Sequence, residues 1–426
     1  MNKIKTIIVG CGDRACVYAR EGAINLGLLE IVAAVDPDEE RLRYVRESFG
    51  VTEGSCYKDI KDVLALGKIA DCVINGTMDQ LHLKTALPFL EQGYDMLLEK
   101  PLVSNGDDLL LFKRTAEQNG CRLMTCHVLR YAPFYLKIKE LILNGEIGDI
   151  VNIQTSERVG AAHSSMSYLR GKWSKESECG SSLLLAKCCH DLDLICWLNN
   201  ATAPVEVAST GGRDYFTESK APKGAGTRCL VDCPESVRKN CIYDVQSMYL
   251  DNCILPWYPW QCTGKNYEDV TTEEKVESLK TYNPHGVCVY KAGGDIVDHQ
   301  NVMITFADGS TATHSVTLGV MKPGRNIWVV GTKGEIEGFA DEGTLKLTKY
   351  SKQTSLWESQ SFDFNDVKGE TGGHFGGDKG LINDFCQLVL GQQPSISCTS
   401  VQDSITGHLL VFAADKAMKE NKIIKL

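Results

Sequence analysis

The sequence predicts an α/β protein in which a doubly wound parallel sheet is followed by an α+β domain with a large, mostly antiparallel open sheet. In the first 131 residues, short apolar runs alternate with amphipathic segments, the pattern of a parallel sheet flanked by helices. From Ile150 onward many segments have a period of two, and Asp308-Gly309 and Lys333-Gly334 between them are typical of hairpin turns. A length of 426 residues also favours two domains.

The first predicted domain covers residues 1–131. Its strands are short apolar runs, as expected of strands buried on both faces of a parallel sheet. Strands are predicted at Thr6 to Val9, Leu29 to Val35, Cys72 to Asn75, Asp95 to Leu98 and Arg122 to Cys126. Helices are predicted between them at residues 13–26, 39–49, 82–92 and 107–119.

The second predicted domain covers residues 132–426 and begins with the helix that links the two domains, residues 133–144. Residues 220–285, rich in Cys, Pro, Trp and charge, are interpreted as an insertion. Helices at 380–390 and 399–420 are expected to pack back on the first domain. Strands are predicted at residues 150–157, 205–210, 297–306, 311–318, 326–331, 335–339 and 344–349.

Composition narrows the classes of function. The net charge of −10 lacks the basic excess that a nucleic-acid surface needs, which favours a small-molecule ligand. The N-terminus has no signal-peptide pattern, and no stretch of about 18 apolar residues follows, so a cytoplasmic protein without a membrane partner is predicted. In that reducing compartment the 18 cysteines are expected to be buried thiols rather than disulfides.

A cofactor site is predicted directly after the first strand. Gly10-Cys11-Gly12-Asp13-Arg14-Ala15 fits the G-x-G-x-x-A fingerprint, in which the glycines allow a tight turn and close approach of a pyrophosphate. Ala15 permits close packing of helix on strand. Asp36, at the end of the second strand, would accept hydrogen bonds from the adenosine ribose and repel a 2'-phosphate. The pattern therefore predicts a Rossmann domain that binds NAD, although Asp38 and Arg41 lie close to the discriminating position.

The segment Glu99-Lys100-Pro101 is the predicted centre of the chemistry. It follows an apolar strand, and ligands of open parallel sheets bind outside the carboxyl ends of the strands. Proline restrains the lysine backbone, through either a trans or a cis bond. On turn chemistry alone, a solvated surface turn is the competing interpretation.

A second candidate lies on the apolar helix within residues 181–198. His190 and Asp193 are three residues apart and share one face, so the carboxylate is expected to orient the imidazole. Histidine suits proton transfer near neutral pH. The alternative is a structural histidine in the hydrophobic core.

Together these motifs resemble the glucose-fructose oxidoreductase and inositol dehydrogenase family (Gfo/Idh/MocA). The resemblance rests on the glycine loop, Asn75-Gly76-Thr77 with His82, Glu99-Lys100-Pro101, His190 with Asp193, and Gly331-Thr332-Lys333-Gly334. It implies oxidation of a secondary alcohol of a sugar, glycoside or cyclitol, and oligomer contacts through the C-terminal sheet. It also implies that Lys100 lies beside the nicotinamide and the reacting hydroxyl.

The predicted site follows from the motifs and this resemblance. Lys100 is expected to polarise or position the substrate, and His190 to act as acid and base. The residues expected to hold the cofactor are Gly10, Gly12, Asp13, Arg14, Ala15, Asp36, Asn75, Gly76, Thr77, His82, Glu99 and Lys100.

One position departs from the family pattern. Members usually carry an aspartate four residues before the histidine, and this chain has Ala186 there. Lys187 follows, and spacings of three and four residues both adjoin on a helix, so Lys187 is expected to face the same site. The base is therefore either His190 or Lys187.

Substrate contacts are expected from polar and aromatic side chains of the type that sugar sites use. They resemble a branch of the family associated with 3-keto-glycoside chemistry. For His163, His299 and His374, substrate contact and a structural role are equally compatible with the sequence. The expected contacts are His127, Arg130, Tyr131, His163, Arg170, Trp173, Asp191, His299 and His374.

No metal is predicted. In the insertion, Cys229, Cys233 and Cys241 follow a Cys-x3-Cys-x7-Cys spacing, which is wider than the usual pairs of a zinc site. Packed thiols are the expected alternative.

Four functions are compatible with these observations. The first is an NAD-dependent dehydrogenase that oxidises a secondary hydroxyl of a sugar or glycoside, with C3 of a glycoside as the expected position. The second is a glycosidase that uses NAD transiently, by oxidation, elimination and re-reduction. The third is an inositol dehydrogenase, and the fourth is an NAD-sensing regulatory protein without turnover, against which Lys100 and His190 argue.

Overall fold

The computed structural model describes residues 3–365 and 374–426. Its first sheet has six strands in the order β3-β2-β1-β4-β5-β6, and all of its pairings are parallel. This is the classic dinucleotide-binding order, and the strand order reverses between β1 and β4. The strands are β1 (Ile4–Val9), β2 (Leu29–Val35), β3 (Cys56–Tyr57), β4 (Cys72–Asn75), β5 (Asp95–Leu98) and β6 (Leu123–Thr125).

Helices connect the strands of this sheet. The second helix has a regular start and end, because the Asp38 side chain accepts from the Glu40 amide and Gly50 ends the helix in a left-handed conformation with φ of 71°. The helices are α1 (Asp13–Arg20), α2 (Glu39–Phe49), α3 (Ile60–Leu64), α4 (His82–Glu91), α5 (Gly106–Gln118) and α6 (Pro133–Leu143).

The second sheet has nine strands in the order β14-β13-β12-β11-β7-β10-β9-β8-β15. The pair β10–β7 is parallel and every other pair is antiparallel. The predicted fold class is therefore confirmed. The strands are β7 (Ile150–Gly160), β8 (Pro204–Gly212), β9 (His299–Phe306), β10 (Thr311–Val320), β11 (Gly324–Gly331), β12 (Gly334–Phe339), β13 (Thr344–Ser351), β14 (Leu356–Asp363) and β15 (Ile424–Lys425).

Several helices pack against this sheet or beside it. The longest of them, the last helix, contacts both sheets, since it lies against β8 and β6. None of the described helices has the length and hydropathy that a membrane crossing needs. The helices are α7 (Ala161–His163), α8 (Glu176–Cys179), α9 (Leu183–Leu198), α10 (Glu235–Arg238), α11 (Trp257–Trp260), α12 (Thr272–Lys280), α13 (Gly377–Val389) and α14 (Val401–Glu420).

The chain between β8 and β9 contains the segment that the sequence marks as an insertion. It has a small apolar cluster of its own, which includes Tyr249, Trp260 and Leu279 and is completed by Met166 from the main domain. The insertion is therefore a packed layer attached beside α7. Among the described residues no two cysteines form a disulfide.

Candidate functional site

A cavity of about 680 Å³ lies between the two sheets, at the carboxyl ends of β1 and β4 where the strand order reverses. Open α/β sheets bind their ligands at this position. Most of the predicted cofactor residues line it, namely Gly10, Gly12, Asp13, Arg14, Asp36, Gly76, Thr77, Glu99 and Lys100. Lys187, His190, His163 and Trp173 line it as well.

The glycine loop leaves space where a cofactor would lie. Gly10 has φ of 75°, and a Cβ atom there would come within 2.7 Å of the Thr77 amide nitrogen. At Gly12 the nearest atom to a Cβ would be 4.0 Å away, so this side of the loop is open toward the cavity. Gly76 packs against Ala15, where an added Cβ would approach the Ala15 Cβ to 2.8 Å. The open loop at the start of α1 fits a pyrophosphate.

Asp36 lies at the end of β2 with its carboxylate nearly fully buried. Its Oδ2 accepts from the Cys11 amide at 2.8 Å and its Oδ1 from the Asp38 amide at 2.9 Å. These bonds fix the carboxylate at the cavity wall. A carboxylate has about four acceptor positions, so lone pairs remain for a ribose hydroxyl.

Asn75 and His82 support this wall from behind it. The Asn75 Oδ1 accepts from the Thr77 amide at 3.1 Å. The His82 ring nitrogens contact the carbonyl oxygens of Pro101 at 2.7 Å and Thr77 at 3.0 Å. Both residues are buried outside the cavity lining, so they join the loops after β4 and β5.

Glu99 is held by a network that extends to α13. Its Oε1 accepts from the Tyr18 hydroxyl at 2.9 Å, and its Oε2 accepts from the Lys100 amide at 2.9 Å. The Arg14 Nε lies 3.5 Å from Glu99 Oε1, and Arg14 also pairs with Asp378. Tyr18 and Asp378 are not predicted from the sequence, because neither belongs to a recognisable motif.

Lys100 reaches across the cleft to the second domain. It precedes a cis peptide bond to Pro101, and its Nζ donates to the Ala186 carbonyl oxygen at 2.8 Å. Burial lowers the pKa of Lys100, but Cys189, Glu99 and Asp79 outweigh burial and raise the pKa above its usual value. Lys100 is therefore a cation and a hydrogen-bond donor at neutral pH.

His190 is 5% exposed and borders the cavity from α9. Its Nδ1 lies 3.5 Å from Nδ1 of His127, and the two rings meet edge to face at 77°. Asp193 accepts from Arg130 Nε at 2.7 Å and Nη2 at 2.5 Å, and its Oδ1 lies 3.8 Å from His127 Nε2. The carboxylate that the sequence associates with His190 is thus bound by Arg130 and faces His127.

Lys187 belongs to a row of alternating charges. Its Nζ lies 3.4 Å from Glu157 Oε1, and Glu157 Oε2 lies 2.8 Å from Arg325 Nη2. Arg325 Nε in turn donates to Asp191 Oδ1 at 2.9 Å. Asp191 does not line the cavity, whereas its partner Arg325 does. The Lys187 ammonium group is thus engaged by Glu157.

Aromatic rings form another part of the cavity wall. The His163 ring lies 5.8 Å from the Tyr168 ring and 6.3 Å from the Tyr258 ring, and Trp173 stacks on Tyr168 at 6.1 Å. Burial, reinforced by Lys187, lowers the pKa of His163 to about 3, so this imidazole is neutral. Trp257 and Gln261 of the insertion complete the wall.

This contribution of the insertion was not predicted from the sequence, in which its cysteines are expected to be packed thiols. Tyr258 borders the cavity together with Lys100, Asp13 and Arg14 of the first domain. Burial, the largest effect, raises the pKa of Tyr258. The available signal was Trp257-Tyr258-Pro259-Trp260, an unusually aromatic run in a predicted loop.

Several expected substrate contacts lie away from the cavity lining. Arg130 is buried against Asp193, and Tyr131 is buried in the core of the first domain. Arg170 is fully buried beneath the insertion, where its guanidinium donates to main-chain and hydroxyl oxygens. His299 is bound to Asp298 at 2.7 Å on β9. The side chain of His374 lies outside the described residues.

The insertion cysteines do not assemble into a ligand group. In the part of the chain that the structure describes, one group of possible metal ligands consists of Cys188, Asp191 and His314. Their candidate donor atoms all lie within 4.8 Å of one another. Cys229, Cys233 and Cys241 do not form such a group, and Asp191 is already paired with Arg325.

An NAD-binding Rossmann domain joined to a mostly antiparallel α/β domain, with Lys100 and His190 at one cleft, defines a class of oxidoreductase. The family model described as "Oxidoreductase family, NAD-binding Rossmann fold" matches residues 4–127. The model of the same family's C-terminal alpha/beta domain matches residues 139–426. The chain belongs to the Gfo/Idh/MocA oxidoreductase family.

Individual relatives are distant. The putative oxidoreductase YteT of Bacillus subtilis (strain 168) is 26% identical over 379 residues, which covers 86% of this chain and 83% of the relative. Inositol 2-dehydrogenase 1 of Saccharopolyspora erythraea is 27% identical over 156 residues, 36% of this chain and 46% of the relative. A levoglucosan dehydrogenase solved with NADH shares the fold, with a TM-score of 0.71 and 16% identity over 100% of this chain and 99% of that chain.

Proposed function

We propose that this protein is an NAD-dependent dehydrogenase that oxidises a secondary hydroxyl of a sugar or glycoside, with C3 of a glycoside as the reacting position. One observation carries the proposal: Lys100 and His190, from different domains, border the cavity that begins at the glycine loop. A protonated donor and an imidazole are the two groups that alcohol oxidation needs beside its hydride acceptor.

The residues present fit the cofactor. The open loop at Gly12 would receive the pyrophosphate, Asp36 the adenosine ribose, and the wall of Thr77 and Glu99 the nicotinamide half. When bound, NAD⁺ supplies the acceptor for the hydride that leaves the carbinol carbon. The protein itself orients the alcohol and removes its hydroxyl proton.

Lys100 positions the alcohol in this proposal. Its ammonium group donates to the Ala186 carbonyl in the ligand-free protein and would donate to the substrate oxygen when a hydroxyl lies beside it. As the O–H bond breaks, negative charge grows on that oxygen, and the nearby cation stabilises it. Because its surroundings raise the pKa of Lys100, the lysine serves as donor rather than as base.

His190 takes the hydroxyl proton. Of the two candidate bases, Lys187 is engaged with Glu157, whereas His190 is an imidazole at the cavity surface. The positive charge of Lys187 replaces the carboxylate that relatives carry at Ala186, and Lys187 would donate to a neighbouring sugar hydroxyl. The aromatic wall of Tyr168, Trp173 and Trp257 supports a substrate with pyranose faces.

A second candidate function is supported by Tyr258. Its side chain borders the same cavity as Lys100, Asp13 and Arg14, and in this proposal it hinders exchange of a bound cofactor. A retained cofactor suits a reaction without net redox change. In that reaction C3 is oxidised, the C2 proton and the aglycone are eliminated, water adds, and the ketone is reduced again.

One experiment separates the two functions. Glycosides, free sugars and inositols are mixed with the protein and NAD, and both NADH absorbance and aglycone release are measured, with the oxidised carbon assigned by NMR. NADH with a 3-keto product supports the dehydrogenase. Aglycone release without net NADH supports the second candidate.

The matched variants are Lys100→Met in the cavity and Lys239→Met on the surface, where the lysine side chain is 71% exposed. We expect kcat to fall by about 100- to 1,000-fold for the first variant, as on loss of one transition-state donor, and to stay unchanged for the second. Unchanged alcohol-dependent NAD reduction in Lys100→Met would refute the mechanism.

Oligomer formation through the nine-stranded sheet is part of the same proposal. A large open concavity on one face of this sheet contains none of the predicted site residues and includes Trp328 and Phe339. Apolar side chains such as Tyr350 and Trp357 are exposed on the strands at its edge. Light scattering of the wild type and Trp357→Glu tests whether this sheet joins subunits.

A further inference from the structure

Two further histidines are buried behind His190. The His127 ring centroid lies 5.5 Å from that of His190 and 5.3 Å from that of His408. His127 and His408 are each 1% exposed, and neither lines the cavity. Three imidazoles thus lead from the cavity into the core.

The proton of His408 is located by its partners. Its Nε2 accepts from the Leu102 amide at 3.0 Å, so that nitrogen carries a lone pair. Its Nδ1 lies 3.1 Å from the Ser404 carbonyl oxygen and donates to it. Burial lowers the pKa of His408, so the ring is neutral with its proton on Nδ1.

His127 is also neutral. Burial lowers its pKa far below the usual range, and the neighbouring His408, Arg130 and Lys100 lower it further. Among the described residues its buried Nε2 has no hydrogen-bond partner, and the carboxylate oxygen Asp193 Oδ1 lies 3.8 Å away. A proton on Nε2 is attracted to that carboxylate, whereas a lone pair there is repelled by it. The proton therefore lies on Nε2, and Nδ1 of His127 is an acceptor.

The acceptor on His127 determines the state of His190. Only 3.5 Å separates the two Nδ1 atoms, and one of them must donate. Since His127 Nδ1 is the acceptor, His190 carries its proton on Nδ1 and its lone pair on Nε2. The tautomer of a histidine is set by the hydrogen bond of its other nitrogen.

We infer that His127 is a positioning residue that fixes His190 in the tautomer whose Nε2 accepts the substrate proton. This inference rests on the proposed dehydrogenase function. The substrate O–H bond breaks, an N–H bond forms at His190 Nε2, and the resulting imidazolium keeps its Nδ1–H bond to His127. Asp193, itself held by Arg130, keeps the proton of His127 on the far side of that ring.

The primary test does not require activity. Nitrogen–proton NMR of histidine-labelled protein reports which ring nitrogen carries the proton, and the His190→Gln variant identifies the His190 signals. We expect protonated Nδ1 and unprotonated Nε2 at His190 in the wild type. The opposite tautomer would overturn the inference whatever the stability of the variants.

Two variants of His127 form a matched pair. His127→Leu removes the acceptor, and His127→Asn retains an amide oxygen near the position of Nδ1. We expect His127→Leu to move the His190 proton to Nε2 and to lower kcat by about a hundredfold or more, the scale of general-base catalysis, with KM unchanged. His127→Asn should restore both the tautomer and most of kcat.

The outcomes separate the inference from the function on which it rests. Retention of the wild-type tautomer and kcat in His127→Leu would overturn the inference. If the substrate panel gives neither NADH nor aglycone release, the proposed function is refuted. If His190 nevertheless has the expected tautomer, the role of His127 in orienting the His190 ring remains supported.

Discussion

The carboxylate of Asp36 lies 3.6 Å from the guanidinium of Arg41, measured from Oδ2 to Nη1. Asp36 is buried, whereas the Arg41 side chain is 48% exposed and borders the cavity. The end of β2 therefore holds an acid suited to a ribose 2'-hydroxyl and, next to it, a cation suited to a 2'-phosphate. The acid neutralises the cation.

Cofactor selectivity should change when this acid loses its charge. For Asp36→Asn we expect kcat/KM for NAD to fall by about 10- to 100-fold, the scale of one hydrogen bond to a charged group, and kcat/KM for NADP to rise. Steady-state kinetics with both cofactors measures the ratio. Adding Arg41→Ala should abolish the gain with NADP, and an unchanged NAD-to-NADP ratio in Asp36→Asn would contradict the assignment of Asp36.

Trp257 should distinguish glycosides from free sugars. Its indole stands at the rim of the cavity, so we expect it to contact the group attached to the oxidised ring. Loss of aromatic stacking of about 1 kcal/mol predicts that Trp257→Ala raises KM for a glycoside about fivefold and leaves KM for the free sugar unchanged. Tyr282→Ala, which removes a 60% exposed ring outside the cavity lining, is the control. Equal changes for both substrates would exclude this role.

The sequence predicted strands well where burial imposes a pattern. Leu29–Val35 and the helix Glu39–Phe49 have the predicted bounds, because the strand is apolar except at Glu30 and the helix has a cap and a terminal glycine. Leu356–Asp363 was missed. Almost all of its side chains are exposed, so neither face of the strand requires apolar residues and no alternation of apolar and polar residues marks it in the sequence.

Residues of the candidate site could likewise be predicted where a local sequence pattern marks them. Gly10, Asp36 and Lys100 were predicted because each lies at the end of a recognisable strand. Contacts between distant parts of the chain carry no local signal. His127 is 63 residues from His190, and the roles of Glu157 and Arg325 depend on two neighbouring strands, β7 and β11.

Arg170 should prove essential for attachment of the insertion. Its Nε donates to Val287 O at 2.6 Å, and its terminal nitrogens donate to Tyr249 Oη and Tyr243 O at 3.0 Å each. Arg170→Ala leaves these buried acceptors unpaired, at about 1–3 kcal/mol for each unsatisfied group, so we expect the free energy of unfolding to fall by about 3 kcal/mol or more.

Urea unfolding measures this loss, and hydrogen exchange should locate faster opening in residues 229–287. Arg43→Ala is the matched control, because Arg43 forms only exposed ion pairs on α2 and its loss should leave the unfolding curve nearly unchanged. Equal protection of the insertion in Arg170→Ala and the wild type would contradict the anchoring role.

Asp415 should make stability depend on pH. Burial raises the pKa of this carboxyl to about 6, although hydroxyl and amide donors from Ser182 and Gln300 oppose the shift. In the unfolded state this carboxyl has the usual pKa of about 4. Between about pH 4 and about pH 6 the folded state therefore still binds a proton that the unfolded state has already released. This contribution stabilises the protein below about pH 4 and is lost as the pH rises to about 6, by about 3 kcal/mol in total.

Asp415→Asn removes this titration and leaves the other titratable groups unchanged. The difference in unfolding free energy between variant and wild type therefore measures the contribution of the Asp415 carboxyl alone. We expect the variant to gain stability relative to the wild type as the pH rises from about 4 to about 7. Asp308→Asn should behave in the opposite sense, because the Ser310 hydroxyl and amide lower the pKa of the exposed Asp308 carboxyl, which stabilises the wild type at the higher pH. Urea unfolding at a series of pH values measures both differences. A difference for Asp415→Asn that does not change with pH would mean that this carboxyl has the same pKa in the folded and the unfolded protein.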